Sequence, residues 1–320
     1  MMQIKPRALF KGAATFIPGV MNFANRGSGG TDSPRYCYSV WLRHLVRLAE
    51  AGLDTHFETV AEIGPGDSLG VGLAAMLTGA NRYFAFDALP HARKETNLQT
   101  LDVLVELFSR QERVPGPDEF PEIWPSIVSL EFPGATLGGG RLEAAIQAHR
   151  LEAIRRAVGF GDVGEVEIGY AAPWTDSSIL RSEEVDLVFS QAVLEHVEDM
   201  AATYDALFRW LKPGGVMSHQ IDFKSHGLTR DWYGHWTLPS WIWRLVRGRR
   251  SYLINRMPAS AHVAAMQRAG FEIVVQVPVR ADSPSRSTLA EEFRDLTDDD
   301  LRTSGLFVIA RKPPLHPVAG

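Results

Sequence analysis

The chain has 320 residues, of which 45% are hydrophobic and 22% are charged, so it can bury a full core and is long enough to carry elements beyond one minimal domain. The net charge of −5 argues against broad binding to nucleic acid, and the apolar runs are too short for a membrane helix. A single cysteine, Cys37, excludes an intramolecular disulfide, and residues 1–23, broken by charges and prolines, do not resemble a signal peptide. We therefore expect a cytoplasmic protein.

Residues 1–58 form the first predicted unit, a helical cap that precedes the sheet. Ser33 is a suitable N-terminal cap for a helix, and Leu42, Leu45 and Leu48 continue its apolar face. In the plainer interpretation this helix packs on the sheet. In the alternative it lies over the mouth of a ligand site.

A short apolar strand, Thr59–Ile63, leads into a turn with two glycines, Gly64 and Gly66. Glycine lets the backbone approach a ligand closely, and parallel sheets bind ligands at the carboxyl ends of their strands. A dinucleotide fingerprint would need a third glycine where Leu69 stands, whereas Gly70 comes one position late, and a phosphate-binding P-loop would need a lysine. The turn therefore predicts a ligand site whose ligand must be identified from the neighbouring segments.

A second apolar strand, residues 82–87, ends in the carboxylate of Asp87. The next strand candidate, residues 165–170, follows only after the segment 88–164, whereas a parallel crossover needs only about a dozen residues. Leucines at helical spacing near both ends of this segment, with proline and glycine pairs between them, predict a helical insertion with irregular loops. It is either a lid over the substrate or a scaffold surface.

The second half of the chain continues the alternation of strands and helices. Residues 185–189 are apolar enough for a buried parallel strand, and Gln191 and a Leu-Glu-His sequence follow it. Helical spacing and apolar runs predict the remaining elements: a helix over 204–211 that ends at Lys212-Pro-Gly-Gly, a strand over 216–223, a helix over 260–270, a strand over 271–275, an acidic helix around 289–301 and a strand over 305–310. Residues 313–320 are expected to be a mobile tail.

The segment 224–258 is rich in histidine and tryptophan. Histidine is suited to accept a hydroxyl proton near neutral pH, and tryptophan faces can stack on sugar rings, so we predict a substrate loop. A structural role is the plainer interpretation of each single histidine. The part from Trp241 to Arg250 would engage a phosphate or an anionic membrane surface, unless it is an ordinary helix end with solvated charges.

Together these segments resemble the class I S-adenosylmethionine-dependent methyltransferases. The resemblance rests on the Glu62-x-Gly64-x-Gly66 turn, on Asp87 and on the Leu-Glu-His and Lys-Pro-Gly-Gly sequences, in that order, and it spans residues 59–312 apart from the insertion. It implies an α/β fold with a seven-stranded Rossmann-like sheet in the order 3-2-1-4-5-7-6, in which the seventh strand is antiparallel.

The resemblance also implies a binding site for S-adenosylmethionine. The glycine turn would receive the amino-acid part of this cofactor, and Asp87 would accept hydrogen bonds from the ribose hydroxyls. Ser68 stands where many relatives have a third glycine, so either the turn is tighter or the serine itself bonds the cofactor. The predicted cofactor-binding residues are Glu62, Gly64, Gly66, Ser68, Asp87, Gln191, Arg35 and Tyr36.

Shorter pieces resemble a bacterial subgroup associated with the biosynthesis of polysaccharides and other glycans: residues 35–43, residues 64–68 and the fifth strand with its loop. We therefore predict an O-methyltransferase that acts on a hydroxyl of a sugar or glycan. His226 is the predicted base, with Asp222 as its orienter or as a ligand for a divalent cation, and His196 and His219 are reserve bases. The sequence leaves the need for a metal and the oligomeric state open.

Three alternatives remain at this point. A methyltransferase could act on a small natural product instead of a glycan. A nicotinamide-dependent oxidoreductase would use a similar sheet, although the late Gly70 and the Lys-Pro-Gly-Gly sequence oppose it. A non-catalytic binding protein on the same fold is opposed by the intact set of Glu62, Gly64, Gly66 and Asp87.

Overall fold

The computed structural model describes residues 4–17, 30–160, 164–174, 176–250 and 253–315. Among these residues, no helix is both long enough and apolar enough to cross a membrane. The predicted mobile tail lies outside the described residues from residue 316 onward.

The sheet contains seven strands: β1 Thr59–Ile63, β2 Arg82–Phe86, β3 Glu167–Ala171, β4 Val185–Gln191, β5 Leu211–Asp222, β6 Glu272–Arg280 and β7 Thr303–Arg311. They are hydrogen-bonded in the order β3-β2-β1-β4-β5-β7-β6. The first five strands are parallel to one another, whereas β7 is antiparallel to both β5 and β6. The predicted order and the antiparallel seventh strand are therefore confirmed.

Helices cover both faces of this sheet, which explains why its central strands are apolar on both sides. Alternate residues of β1 supply the two cores, Val60 to one and Ala61 to the other. The helices are α1 Pro6–Ala14, α2 Pro34–Glu50, α3 Gly70–Met76, α4 Lys94–Ser109, α5 Gly134–Leu137, α6 Arg141–Ala145, α7 Ala148–Phe160, α8 Met200–Trp210, α9 Ser240–Arg247, α10 Ala259–Arg268 and α11 Asp298–Arg302. The first core contains α2, α3, α4 and α7, and the second contains α8 and α10.

Helix α2 packs on the sheet, as the plainer interpretation of its sequence predicted. Ser33 caps it by accepting a hydrogen bond from the backbone N–H of Tyr36 at 3.4 Å. Its outer face is covered by the loop that follows α4, because the Ser39 hydroxyl and the Arg43 guanidinium both donate to the carbonyl of Pro115. The segment 88–164 is thus fixed to α2 by buried polar contacts as well as by apolar packing.

Two predicted elements differ in the structure. The Lys212-Pro-Gly-Gly sequence lies within β5 instead of preceding it, and the pairing with β4 shifts register there. The acidic helix expected around 289–301 is replaced by two short 3₁₀ turns and by α11. The Arg286 guanidinium donates to the carbonyls of Arg294 and Leu296, at 2.5 and 2.6 Å, and these are carbonyls that a continuous helix would bond internally.

Buried histidines make the stability of the fold dependent on pH. His262 is fully buried, its Nδ1 lies 3.1 Å from the Tyr204 hydroxyl, and burial lowers its pKa to about 3. Because this folded-state pKa lies below the ordinary value, its stabilising contribution is complete above pH 6.5 and is lost as the pH falls toward 3. Buried Glu62, whose pKa burial raises to about 8, titrates in the opposite sense.

We expect a comparison of the wild type with the His262→Gln variant to show how the titration of His262 changes the stability with pH. Glutamine can still bond Tyr204 but does not titrate, so the stability of the wild type relative to the variant should fall by about 1.4 kcal/mol between pH 7.5 and pH 5.5. Urea unfolding of both proteins at each pH measures this difference, and it cancels the titration of Glu62 and of the other shared groups. A difference that does not change with pH would contradict the account.

Candidate functional site

The carboxyl ends of four neighbouring parallel strands, β2, β1, β4 and β5, meet at one edge of the sheet. The residues that follow these strands therefore come together in space although they are far apart in the sequence. The glycine turn and Asp87 follow β1 and β2, and the Leu-Glu-His sequence and the histidine-rich loop follow β4 and β5.

The glycine turn after β1 holds Asp87 in place. Gly64 and Gly66 both have positive φ, at 71° and 73°, a conformation that favours glycine. The backbone N–H of Gly64 donates to the carbonyl of Phe86 at 2.7 Å, and that of Gly66 donates to Oδ2 of Asp87 at 3.2 Å. The carboxylate of Asp87 thus lies against the turn, where a diol bound at the turn would meet it. Burial raises the pKa of Asp87 above its usual range.

Glu62 lies beneath this turn rather than on its open side. Its side chain is 3% exposed, and Oε2 accepts a hydrogen bond from the Tyr83 hydroxyl at 2.5 Å. The Tyr83 ring fills the space beside Gly72, where an added Cβ would lie 1.9 Å from Cζ. Glu62 therefore supports the turn from within the sheet, and a direct contact with the cofactor stays a prediction.

Ser68 uses its hydrogen-bonding capacity within the protein. Its hydroxyl donates to the carbonyl of Thr31 and accepts from the backbone N–H of Gly70 at 3.1 Å, while its own N–H donates to the Thr31 hydroxyl at 3.2 Å. The side chain is fully buried. Of the two predictions for this position, the contacts favour the tighter turn, because the hydroxyl proton of Ser68 is already donated to Thr31 and the side chain is fully buried.

Arg35 and Tyr36, at the start of α2, are engaged by the loop that follows α4. The Arg35 guanidinium forms a bidentate pair with Glu119, at 2.7 and 2.9 Å. Tyr36 is buried, with its ring edge-on to Phe120 at a centroid distance of 5.4 Å and its hydroxyl beside Gln191. Arg35 is therefore positioned by a protein carboxylate, whereas Tyr36 lies next to the end of β4.

Gln191 links the end of β4 to β5 and to the loop after α4. Its Nε2 donates to Oε1 of Gln220 at 2.5 Å. The same oxygen accepts from the backbone N–H of Trp124 at 3.1 Å, and Nε2 of Gln220 donates to the carbonyl of Glu122 at 3.4 Å. The loop therefore reaches the edge of the sheet where the site lies, which is compatible with both the lid and the scaffold interpretation.

A cluster of two carboxylates and two imidazoles lies at the ends of β4 and β5. Oε1 of Glu195 is 3.8 Å from Nε2 of His226 and 4.0 Å from Nε2 of His196. Oδ2 of Asp222 is 3.7 Å from Nε2 of His226, and the two imidazoles meet edge-on at a centroid distance of 4.9 Å. The structure thus brings His226, Asp222 and His196 together, and it adds Glu195, which sequence reasoning treated only as part of a motif.

The carboxylate of Asp222 does not hydrogen-bond His226, because 3.7 Å exceeds hydrogen-bond distance, and the orienting role of Asp222 stays a prediction. His226 has a φ of 47°, an uncommon conformation for a residue with a Cβ. Burial lowers the pKa of His226, and burial followed by the charge of Asp222 raises the pKa of Glu195 well above its usual range.

Asn255 positions this cluster, and sequence reasoning missed it. Its Nδ2 donates to the carbonyls of Leu194 and Val197, at 2.9 Å each, and its backbone N–H donates to the carbonyl of Glu195 at 2.6 Å. One asparagine therefore donates hydrogen bonds to three backbone carbonyls of the turn that carries Glu195. Its position about sixty residues further along the chain gives no local pattern from which this role could be read.

His219 is not a candidate base, and this prediction is corrected. It lies within β5, fully buried, with Nδ1 2.7 Å from the Ser190 hydroxyl of β4. Its neighbours in the sheet are strands rather than the open edge, so an acceptor hydroxyl does not reach it. Burial lowers its pKa to about 3.

Val193 connects the glycine turn with the carboxylate and imidazole cluster. A Cβ added to Gly64 would lie 2.5 Å from both γ carbons of Val193. Val193 is two residues before Glu195, so the glycine turn touches the segment that carries the cluster. A side chain at Gly64 would therefore clash with Val193 and would have to adopt an unfavourable positive φ. Such a substitution would not test ligand binding alone.

The tryptophans of the segment 224–258 are mostly structural. Trp236 is fully buried and its Nε1 donates to the carbonyl of Arg256, while Trp243 in α9 is 6% exposed. Trp241, on the opposite side of α9, is 64% exposed. Sugar stacking by the buried rings is thus ruled out by their packing, and the membrane contact expected from this segment stays a prediction.

The sequence matches a family described as a methyltransferase domain over residues 39–276. No curated protein matches it. Among solved structures, an S-adenosylmethionine-dependent methyltransferase from Mesorhizobium loti shares 14% identity at a TM-score of 0.38, covering 80% of this chain and 91% of that chain. One from Methanosarcina mazei shares 13% identity at a TM-score of 0.40, covering 83% and 97%. Phosphoethanolamine N-methyltransferase 2 from Haemonchus contortus, in complex with S-adenosyl-L-methionine, shares 15% identity at a TM-score of 0.43, covering 91% and 59%.

We expect the Asp87→Ala substitution to weaken the binding of S-adenosylhomocysteine by roughly 10- to 100-fold, because a charged acceptor of the ribose hydroxyls is lost. Isothermal titration calorimetry measures the change. Asp87→Asn keeps an acceptor for the N–H of Gly66 and separates the loss of charge from loosening of the turn. Asp205→Ala, at an exposed position of α8, is the matched control. A folded Asp87→Ala protein whose affinity changes less than about twofold would show that the ribose lies elsewhere.

Proposed function

Since this chain belongs to the methyltransferase domain family and is an S-adenosylmethionine-dependent methyltransferase, we propose that the group it methylates is a hydroxyl of a sugar or glycan. The observation that carries the hydroxyl assignment is the cluster of Glu195, His226 and Asp222 in contact, through Val193, with the glycine turn. A hydroxyl must lose its proton when it is methylated, and this cluster offers proton acceptors beside the expected cofactor. The sugar or glycan assignment rests on the sequence resemblance of residues 35–43 and of the fifth strand with its loop.

The reaction would be an in-line displacement. The hydroxyl oxygen of the acceptor attacks the sulfonium methyl group, the bond from carbon to sulfur breaks, and S-adenosylhomocysteine leaves. The hydroxyl proton passes to the cluster, in which His226, proposed from the sequence as the base, is one of the groups able to receive it. Alignment of the two substrates supplies most of the acceleration, and proton removal typically adds roughly 10²- to 10⁴-fold.

Position assigns different roles to the two halves of the site. The residues after β1 and β2 would bind the nucleoside and the amino-acid part of the cofactor, and those after β4 and β5 would receive the acceptor. Val193, which follows β4, has its side chain beside Gly64 of the turn after β1. This arrangement supports a short path from the sulfonium group of the cofactor to the acceptor oxygen.

The proposal is tested by methyl transfer from radiolabelled S-adenosylmethionine to a panel of nucleotide sugars, oligosaccharides and small phenolic natural products. We expect an alkali-stable methyl ether on a sugar hydroxyl. His226→Ala should lower kcat by at least roughly 100-fold while the affinity for S-adenosylhomocysteine stays near that of the wild type, because His226 lies on the acceptor side.

His56→Ala, an exposed histidine far along the chain from the cluster, is the matched control and should keep full activity. If only the phenolic compounds were labelled, the acceptor would be a small natural product instead of a sugar. A His226→Ala enzyme that retains kcat would remove this histidine from the reaction.

A further inference from the structure

Three side chains at the ends of β4 and β5 present metal-binding atoms to one another. Glu195, His196 and His226 each offer one donor atom, and these atoms all lie within 4.8 Å of one another. Ligands about 2.1 Å from a tetrahedral ion lie roughly 3.4 Å apart, so the observed distances of 3.8 and 4.0 Å from Oε1 of Glu195 to the two imidazoles need only small side-chain shifts.

A second observation points to a cation, namely the state of the Glu195 carboxylate. The residue is 2% exposed, and neither carboxylate oxygen accepts a hydrogen bond of ordinary distance and angle among the described residues; the backbone N–H groups of Glu195 and Asp222 lie near it. A buried carboxylate with so little hydrogen bonding is costly, and either protonation or a bound cation compensates it. The carboxylate faces the two imidazoles, whose nitrogens are ligands for transition metals.

The surrounding backbone holds these donors in place. Asn255 fixes the Leu194–Val197 turn through its bonds to the carbonyls of Leu194, Glu195 and Val197. His226 has a positive φ of 47°, a costly conformation for a residue with a Cβ, and its Nε2 lies 3.8 Å from Oε1 of Glu195. Asp222, whose Oδ1 accepts from the N–H of Lys224 at 2.9 Å, keeps its other oxygen toward His226.

We propose that Glu195, His196 and His226 bind a divalent transition metal of the series from Mn²⁺ to Zn²⁺, and that an open coordination position of this ion receives the hydroxyl oxygen of the acceptor. Two imidazoles and one carboxylate suit this series, whereas Mg²⁺ and Ca²⁺ prefer sites made of oxygen alone. Three protein ligands leave a position open for substrate, as in catalytic zinc sites.

This inference rests on the proposed function and deepens it. A metal ion makes a bound hydroxyl more acidic, so the proton can leave as the oxygen attacks the methyl group. With His226 as a ligand, that histidine no longer serves as the base proposed from the sequence, and the proton released by the bound hydroxyl passes to solvent. Asp222 is adjacent to the site, at 3.7 Å from Nε2 of His226.

The test uses full-length protein without a histidine tag, depleted of metal with a chelator and then titrated with Co²⁺ and Zn²⁺. We expect one equivalent of metal by mass spectrometry after desalting, and visible Co²⁺ absorption bands of a site with nitrogen and oxygen ligands. His226→Ala and the isosteric Glu195→Gln should each weaken metal binding by more than about 100-fold. Loss of a residue that only orients a metal ligand costs less, roughly 10- to 100-fold. His56→Ala should bind like the wild type.

Circular dichroism confirms that each variant is folded, and calorimetry with S-adenosylhomocysteine confirms that its cofactor half is intact. Absence of stoichiometric binding by the wild type, or unchanged affinity in folded His226→Ala, would overturn the metal site. Methyl transfer at full rate by chelator-treated enzyme would overturn its catalytic role. Stoichiometric binding that is lost in both variants would support the site even if no sugar hydroxyl proved to be the acceptor, so failure of the metal site and failure of the proposed function can be told apart.

Discussion

The backbone of the turn after β1 must carry two positive φ values within three residues while it donates hydrogen bonds outward to the end of β2. Gly64 and Gly66 make this conformation accessible, and the bond from Gly66 to Asp87 brings the carboxylate of another strand against the turn. The absence of a side chain at Gly64 also leaves the room that Val193 occupies. The position of Asp87 and the contact between the two halves of the site therefore both depend on this one turn.

The same turn is supported from below and from the side. Tyr83 reaches from β2 to the buried Glu62 of β1, so the acidic residue of the motif stabilises the sheet beneath the turn. Ser68 ties the turn to Thr31, just before α2. These contacts explain why the segment before the sheet is part of the site's architecture although its described residues contribute no strand to the sheet. On the acceptor side, the buried Glu195 is the group whose desolvation the rest of the cluster must offset.

The strands and their order could be predicted because each short apolar run is followed by a turn signal, and because the order of the motifs matches a known family. The residues that complete the site could not be predicted from the sequence. Asn255 acts across about sixty residues through backbone carbonyls, and the pairing of Arg35 with Glu119 joins two segments that share no sequence pattern. The burial of His219 could not be predicted either. Strand alternation places its side chain on one face of β5 but does not reveal that this face is covered. The failed acidic helix has a similar cause, because Arg286 binds carbonyls from a distance of several residues.

The central claim is that cofactor and acceptor meet at the edge formed by β2, β1, β4 and β5. A crystal structure with bound S-adenosylhomocysteine tests it most directly. The account predicts the ribose hydroxyls within hydrogen-bond distance of Asp87, at most about 3.5 Å, the amino-acid part on the turn of Gly64 and Gly66, and the sulfur directed toward the side of Glu195 and His226. A cofactor bound away from Asp87, or with its sulfur directed away from that cluster, would contradict it.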